Sequence, residues 1–457
     1  MLVRDLSRRN FLLAAGVAAT AVSVSSTAAR SQDVKRVRLM HTQAGDPAMR
    51  KYFIDAIAQY NGENPGVEII PEFIPWNEAY PKVQAGLQSG TPPDIVHGDP
   101  FAYGAMLAFG ILEPVTGIIQ ELGWANDMYP NTRVVVEGND FLVPTWAETL
   151  GLFYRKDWLE EKGISAPFKS WDEIIRAARA LTEPEKGRWG ISMGLKRAGK
   201  LGDDFFSVLT GLGGHIYNED RTTAVNTPLF KETMEIFRQL CECSPPDSVE
   251  WEYAGVRTGY KTGKVGLHLY EPRTMTEILG EPYGGYGSGF PDLLDVTQWQ
   301  MLPTRSAAEW PNKAFVRASL EGFCILKGSP LKDEAAKFIT WFLKDRERYI
   351  RMLQTVPLME LPVLESVVEG DEYWDHVSYK RRPDIVPLLK GAMRAYGRST
   401  IVNRKMDVYP STVIAESSMA LGSLAIDDAL LAYISEKQPI DTVISELETK
   451  LAHFIRT

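Results

Sequence analysis

Gln88–Pro100 reads Q-S-G-T-P-P-D-I-V-H-G-D-P, the end of a helix followed by a break and a short strand. Gly90 ends a helical pattern over Glu78–Gln88, with Asn77 placed to cap its start. Pro92-Pro93 blocks any continuation of that helix. Asp94–His97 then reads as a short strand, and a further helical pattern covers Phe101–Phe109. Upstream, Val67–Ile74 is strand-like, Ala48–Asn61 has helical apolar spacing at Phe53, Ile54, Ile57 and Tyr60, and Val34–Met40 alternates basic with apolar residues. Repeated β-α-β units of this kind predict a parallel sheet with helical crossovers. Ligands of such sheets bind at the carboxyl ends of the strands, here His41–Gly45, Pro75–Asn77 and His97–Pro100.

Further along, a second α/β unit is expected. Trp171–Leu181 is an amphipathic helix with Ser170 at its cap and Glu173 three residues on. Arg188–Leu195 and Lys264–Tyr270 are strand-like, Pro228–Cys241 is helical, and Lys200–Asp204 reads as a loop before an apolar helix from Phe205. Gly280–Pro291 reads as a loop, and the last third is mainly helical, at Lys332–Leu343, Ile385–Tyr396 and Ile440–Phe454.

The 457 residues suit two or three domains, and 44% hydrophobic with 24% charged residues is ordinary globular composition. The net charge of -9 argues against nucleic acid as a partner, since phosphate neutralisation dominates such binding. Three cysteines cannot make a disulfide framework. Residues 1–29 carry Arg8-Arg9, then an apolar run Phe11–Val24 and small residues at Ser26–Ala29. That is the layout of a cleaved export signal, and the paired arginines with the trailing Phe-Leu resemble a twin-arginine (Tat) signal. The run is shorter than the roughly 20 apolar residues a membrane span needs, so a soluble periplasmic product is expected.

Seven segments in order resemble the sugar-binding solute receptors of ABC transporters, the maltose-binding-protein type. They are Gln88–Val96, Phe109–Val115 (F-G-I-L-E-P-V), Phe141–Leu159 (F-L-V-P-T-W-A-E-T-L-G-L-F-Y-R-K-D-W-L), Ser170–Ile174 (S-W-D-E-I), Gly213–Tyr217, Tyr260–Leu269 (Y-K-T-G-K-V-G-L-H-L) and Glu334–Leu343 (E-A-A-K-F-I-T-W-F-L). They extend over nearly the whole chain after the leader. The resemblance implies the α/β, two-lobe periplasmic-binding-protein fold (type II), each lobe a sheet flanked by helices with the ligand cleft between them. It implies lobe 1 from 30–146 plus 303–345 and lobe 2 from 147–302 plus 346–457. The implied function is capture of a sugar or sugar derivative by hinge closure and its delivery to ABC permease subunits. A monomer touching the membrane only through the permease is expected, with no cofactor, metal or catalysis.

Sugars present hydroxyls and flat C–H faces, so Asp, Glu, Asn, Gln, Arg, His and aromatic residues at strand ends are the candidates. His41 and Gln43 follow the first strand, Trp76 ends the second, and Asp99 lies past the third, where it can also cap a helix. Trp146 and Glu148 sit where the chain crosses between lobes, and the resemblance places a sugar-binding carboxylate at Glu148. From the second lobe come Asp203, Tyr270, Glu271 and Arg273, with Glu321 on the return strand and Tyr409 before a late helix. Arg273 stands where the family has a stacking Trp, and its planar fork would suit an anionic sugar or an internal acid.

The main rival is a secreted glycoside hydrolase or esterase. Gly190-Ile191-Ser192-Met193-Gly194 fits the G-x-S-x-G nucleophile elbow, and four histidines follow it, but no H-G-G-G-type loop precedes it. The six histidines and three cysteines show no zinc spacing, and no phosphate-binding glycine loop opens a helix.

Overall fold

Val37, Leu39 and Met40 are buried while Arg36 and Arg38 face solvent, so Lys35–His41 forms a strand whose carboxyl end runs into the interior. The computed structural model describes residues 34–42, 46–75, 78–304, 318–398, 406–408 and 413–456. Strands are labelled β1 (Lys35–His41), β2 (Val67–Phe73), β3 (Ile95–Gly98), β4 (Val143–Thr149), β5 (Gly151–Arg155), β6 (Trp189–Ser192), β7 (Val265–Tyr270), β8 (Thr297–Met301), β9 (Ala318–Ile325) and β10 (Leu361–Pro362). The first sheet has the order β10-β4-β9-β3-β1-β2, and the second β8-β5-β7-β6.

β1 runs parallel to β2 and β3, joined by helices α1 (Pro47–Glu63) and α2 (Ala79–Ser89). Gly90 ends α2 at φ 71, the left-handed conformation glycine adopts without penalty. The Asn77 cap expected there lies outside the described residues. Helix α3 (Pro100–Ala108) starts on Asp99, whose side chain accepts from the Ala102 N–H at 3.3 Å.

β9 is antiparallel to both β3 and β4, with a bulge between Glu321 and Gly322. A Cβ at Gly322 would lie 2.4 Å from the Val143 carbonyl oxygen, so only glycine lets the two strands close there.

The chain leaves the first sheet at Leu150 and enters the second at Gly151. This is past the expected 146/147 boundary, because β4 keeps its pairing with β9 through Thr149. Residues 349–364 of the expected second-lobe segment 346–457 also depart from that place, while its last helix keeps to it. β10 pairs with β4, and the Tyr349 hydroxyl donates to the Thr145 carbonyl at 2.8 Å while accepting from the Val363 N–H at 3.1 Å. Val356, Leu358 and Leu361 are fully buried in the core of the first sheet.

In the second sheet, α4 (Trp171–Leu181) has the predicted cap, Ser170 accepting from the Glu173 N–H at 3.2 Å. Residues Lys200–Asp204, expected as a loop, instead form the first turn of helix α5 (Lys200–Gly211). The cause is remote in sequence: the Asp427 carboxylate accepts from the Gly199 and Gly202 N–H groups at 3.0 and 3.2 Å. It thereby satisfies the helix start in place of a local cap. Helices α6 (Pro228–Cys241), α7 (Tyr253–Lys261), α8 (Arg273–Leu279) and α9 (Ile440–Arg456) follow in chain order. α6 and α9 pack with the second sheet in its own apolar cluster.

Candidate functional site

The carboxyl ends of β1 and β3 bring His41 and His97 into register, and their rings stack with centroids 4.2 Å apart. Trp146 lies against His97 at 4.8 Å, and Phe53 against His41 at 4.0 Å. All four side chains are fully buried. Burial pushes the His41 imidazole down to about 3 and the His97 imidazole well below its ordinary range, so both are neutral at physiological pH. His97 Nε2 lies 2.9 Å from the Thr145 hydroxyl, which donates to the Glu321 carbonyl at 3.0 Å. His41 and Trp146 thus sit in an aromatic stack inside the sheet layer, and Asp99, 5% exposed, caps α3 beside it.

Next to this stack, the register of three strands makes a row of polar groups. Ser319 stands opposite Glu148 and Glu321 opposite Trp146, while Leu361 opposite Ala147 sets Glu360 beside Glu148. Glu148, Glu321 and Glu360 are each buried. The Glu360 carboxyl is raised well above the ordinary range by burial first, then by Glu148, Glu321 and Asp46, with Arg273 opposing. Like charges on facing strand positions cannot all ionise in a dry site.

Asp46 and Arg273 complete this group. Asp46 occupies the cap position of α1 but makes no capping hydrogen bond. Its carboxylate instead pairs with Arg273 at 3.0 Å, joining the β1–α1 connection of the first sheet to α8, which follows β7 of the second. Arg273 also lies under the Tyr286 ring at 5.7 Å and 3.6 Å from the Met359 sulfur. Burial opposes its charge, and Asp46, Tyr286 and Tyr270 outweigh that and keep it a cation.

A second group lies at the end of β7 and the start of α5. The Lys200 ammonium bonds both Asp204 oxygens and lies 4.6 Å from the centre of the Tyr270 ring. Tyr270 stacks on His268 at 5.1 Å and accepts from Arg257 at 2.6 Å. Asp203 and Glu271 are buried beside them and add to the negative field at Asp204. Burial, opposed by Lys200, pushes the Asp204 carboxyl up to about 7.

The structure therefore brings Glu148, Glu321 and Arg273 into one cluster and Asp203, Tyr270 and Glu271 into another. Arg273 feels both Asp46 and Tyr270. Gln43, Trp76 and Tyr409 lie outside the described residues. Sequence reasoning missed Asp46, Lys200, Asp204, Tyr286 and Glu360. Two of them left a signal: Glu360 is the one charge in the apolar run Val356–Val363, and Asp46 precedes a proline that opens a helix.

Gly190–Ser192 of the G-x-S-x-G segment lie in β6, and the next helix begins only at Lys200, so the serine sits on no strand-to-helix elbow. Ser192 Oγ lies 2.6 Å from His268 Nδ1, and His268 Nε2 lies 2.9 Å from the Thr274 hydroxyl. Both Ser192 and His268 are buried, and the third partner is a hydroxyl where a triad needs a carboxylate. This chain of contacts ties β6 to β7 and α8.

The family model for bacterial extracellular solute-binding proteins matches residues 43–348. The putative ABC transporter periplasmic-binding protein YcjN of Escherichia coli (strain K12) is 21% identical over 344 residues, 74% of this chain and 75% of that protein. A putative binding protein of Brucella abortus (strain 2308) is 25% identical over 243 residues, 50% of this chain and 56% of that protein. The match thus spans about half the length of that relative. Among solved structures, the solute-binding protein of Agrobacterium radiobacter K84 in complex with ribitol superposes with TM-score 0.72 at 18% identity, covering 92% of this chain and 98% of that one. That of Agrobacterium vitis S4 with bound D-mannitol gives 0.70 at 17% identity over 93% and 99%. Maltose-bound MalE3 of T. maritima gives 0.70 at 18% identity over 92% and 100%. The architecture is that of the two-lobe periplasmic solute-binding proteins.

Proposed function

The chain belongs to the bacterial extracellular solute-binding protein family, and from that membership we propose that it is the substrate-binding component of an ABC importer for a sugar or polyol. The observation that carries the reading is the gathering of Asp46, Glu148, Glu321, Glu360 and Arg273 where the two sheets meet, on segments from both. A cleft walled by buried carboxyls and one guanidinium offers many acceptors for ligand hydroxyls. The neighbouring structures carry ribitol, D-mannitol and maltose, ligands of that chemistry.

Arg273 is engaged by Asp46, which favours a neutral ligand over the anionic one its fork first indicated. Closure of the two lobes about Leu150 would bury the ligand, and the closed form would dock on the permease. We take the leader over residues 1–29 to send the chain to the periplasm by the twin-arginine route, where it works as a monomer. Replacing both Arg8 and Arg9 by Lys should leave it unexported, and export at the native level would refute that route.

The test of the reading is a thermal-shift screen with ribitol, D-mannitol and maltose. A ligand that binds only the native state adds about 2.7 kcal/mol at a hundred times its Kd. A shift from at least one of these supports the reading. No shift from any carbohydrate, with a shift from peptides, would overturn it.

A further inference from the structure

Where the two sheets meet lies a carboxyl group whose burial no hydrogen bond among the described residues repays. Glu360 is fully buried, and among the described residues neither of its carboxyl oxygens has a hydrogen-bond partner. A buried polar group in that state is costly, and native proteins rarely keep one without a use.

The backbone around it is held with unusual care. Leu358, two residues earlier, adopts φ 75, a left-handed conformation that strains a non-glycine residue. A relay of two tyrosines clamps this turn. The Leu358 N–H donates to the Tyr379 hydroxyl at 3.0 Å, which donates to the Tyr373 hydroxyl at 2.6 Å, which donates to the Glu360 carbonyl at 2.9 Å. From the other side, Arg273 touches the Met359 sulfur, and the Thr276 hydroxyl donates to the Pro357 carbonyl. Strain, clamp and strand register together fix the Glu360 carboxyl beside Glu148 and Ser319, whose hydroxyl is also buried without a partner among the described residues. Rigid support behind a group that itself lacks partners is the arrangement of a binding residue.

We propose that Glu360 is a ligand-gripping residue of this cleft, its two carboxyl oxygens taking a vicinal pair of hydroxyls from the captured molecule. The inference rests on the sugar or polyol reading of the cleft and deepens it by naming the contact that selects a diol. The groups facing Glu360 are Glu148 on β4, Glu321 on β9, Asp46 before α1, Arg273 on α8, Tyr286 in the following loop and Tyr373 of the relay. Burial first, and then the three acids among them, keep the proton on the carboxyl when no ligand is bound. Two hydroxyl donors supply the hydrogen bonds the ionised form lacks, so capture of a diol releases that proton.

Glu360→Gln tests this in two arms. The native group holds a proton that the unfolded chain gives up above its ordinary value of 4.5, so native stability falls as pH rises from there. Glutamine does not titrate. Ligand-free Glu360→Gln should therefore melt above the native protein, by a margin that grows from about pH 5 to about pH 8. In the second arm, calorimetric titration uses whichever of ribitol, D-mannitol and maltose most raises the native melting temperature. The variant should lose affinity about tenfold or more, and only the native protein should show heats that depend on buffer ionisation. A ligand-free variant less stable than native at about pH 8 would make Glu360 a structural residue and overturn the inference. Unchanged affinity would overturn it as well. If no carbohydrate shifts the native protein while peptides do, the sugar reading falls and the inference with it, whereas a shift with unchanged affinity in the variant overturns the inference alone.

Discussion

Arg273→Met is the most informative single substitution, because it removes one side of a buried charge pair that bridges the two halves of the molecule. Asp46 is 1% exposed, and its carboxylate pairs with the guanidinium at 3.0 Å. Removing one partner of a buried pair costs about 3–5 kcal/mol, mostly because the other charge is left uncompensated. Arg273 keeps 18% of its side chain exposed, so the lower end, about 3 kcal/mol, is the appropriate figure. At about 2 °C per kcal/mol for a chain this large, the melting temperature should fall by about 6 °C. Adding Asp46→Asn to Arg273→Met removes the stranded charge and should restore about 2 kcal/mol of that loss. The assay is a double-mutant cycle by thermal unfolding at low salt. Strict additivity of the two substitutions would refute the coupling, since the pair would then be a coincidence of placement.

Two further predictions concern the second sheet. The Asp204 carboxyl sits at about 7 against an ordinary 3.8, so its folded form holds a proton the unfolded chain releases. Its stabilising contribution is complete below 3.8 and is lost as pH rises towards 7. Asp204→Asn should flatten the fall in melting temperature over that window, and identical slopes for variant and native would contradict the assignment. Some slope should persist, because Asp427 is raised to about 7 by burial in the same way. Gly190→Ala should destabilise by about 3 kcal/mol, since the new Cβ would lie 2.0 Å from the Ala178 carbonyl oxygen of α4. Denaturant unfolding reads this directly, and a change under about 0.5 kcal/mol would mean the strand and helix can separate freely.

The elements legible in the sequence were those set by local periodicity. The alternation in β1, the glycine that ends α2 and the Ser170 cap of α4 are written within a few residues of where they act. The start of α5 was misread because its cap, Asp427, is 228 positions from the Gly199 N–H it accepts. The return of the chain after 346 to the first sheet was likewise invisible, since β10 is only two residues long and its apolar run suits either sheet.

The candidate site shows the same division. Arg273 is legible because it follows a strand, where such folds collect ligands, whereas Glu148 and Glu321 are legible through the resemblance, at the crossing between lobes and on the return strand. His41, at the end of the first strand, and Trp146, at the crossing between lobes, stack inside the sheet layer, because position along a strand does not say which face a ring covers. Glu360 escaped notice because its neighbours in sequence are apolar and its partners lie on strands far along the chain.

Calorimetric titration of ribitol, D-mannitol and maltose into the native protein and into Glu148→Ala tests the central claim most directly. At least one of them should bind saturably at a single site, and that binding should be lost in the variant while its unfolding curve stays cooperative. Equal affinity in the two proteins, or no binding to the native one, would contradict a sugar or polyol cleft at the junction of the two sheets.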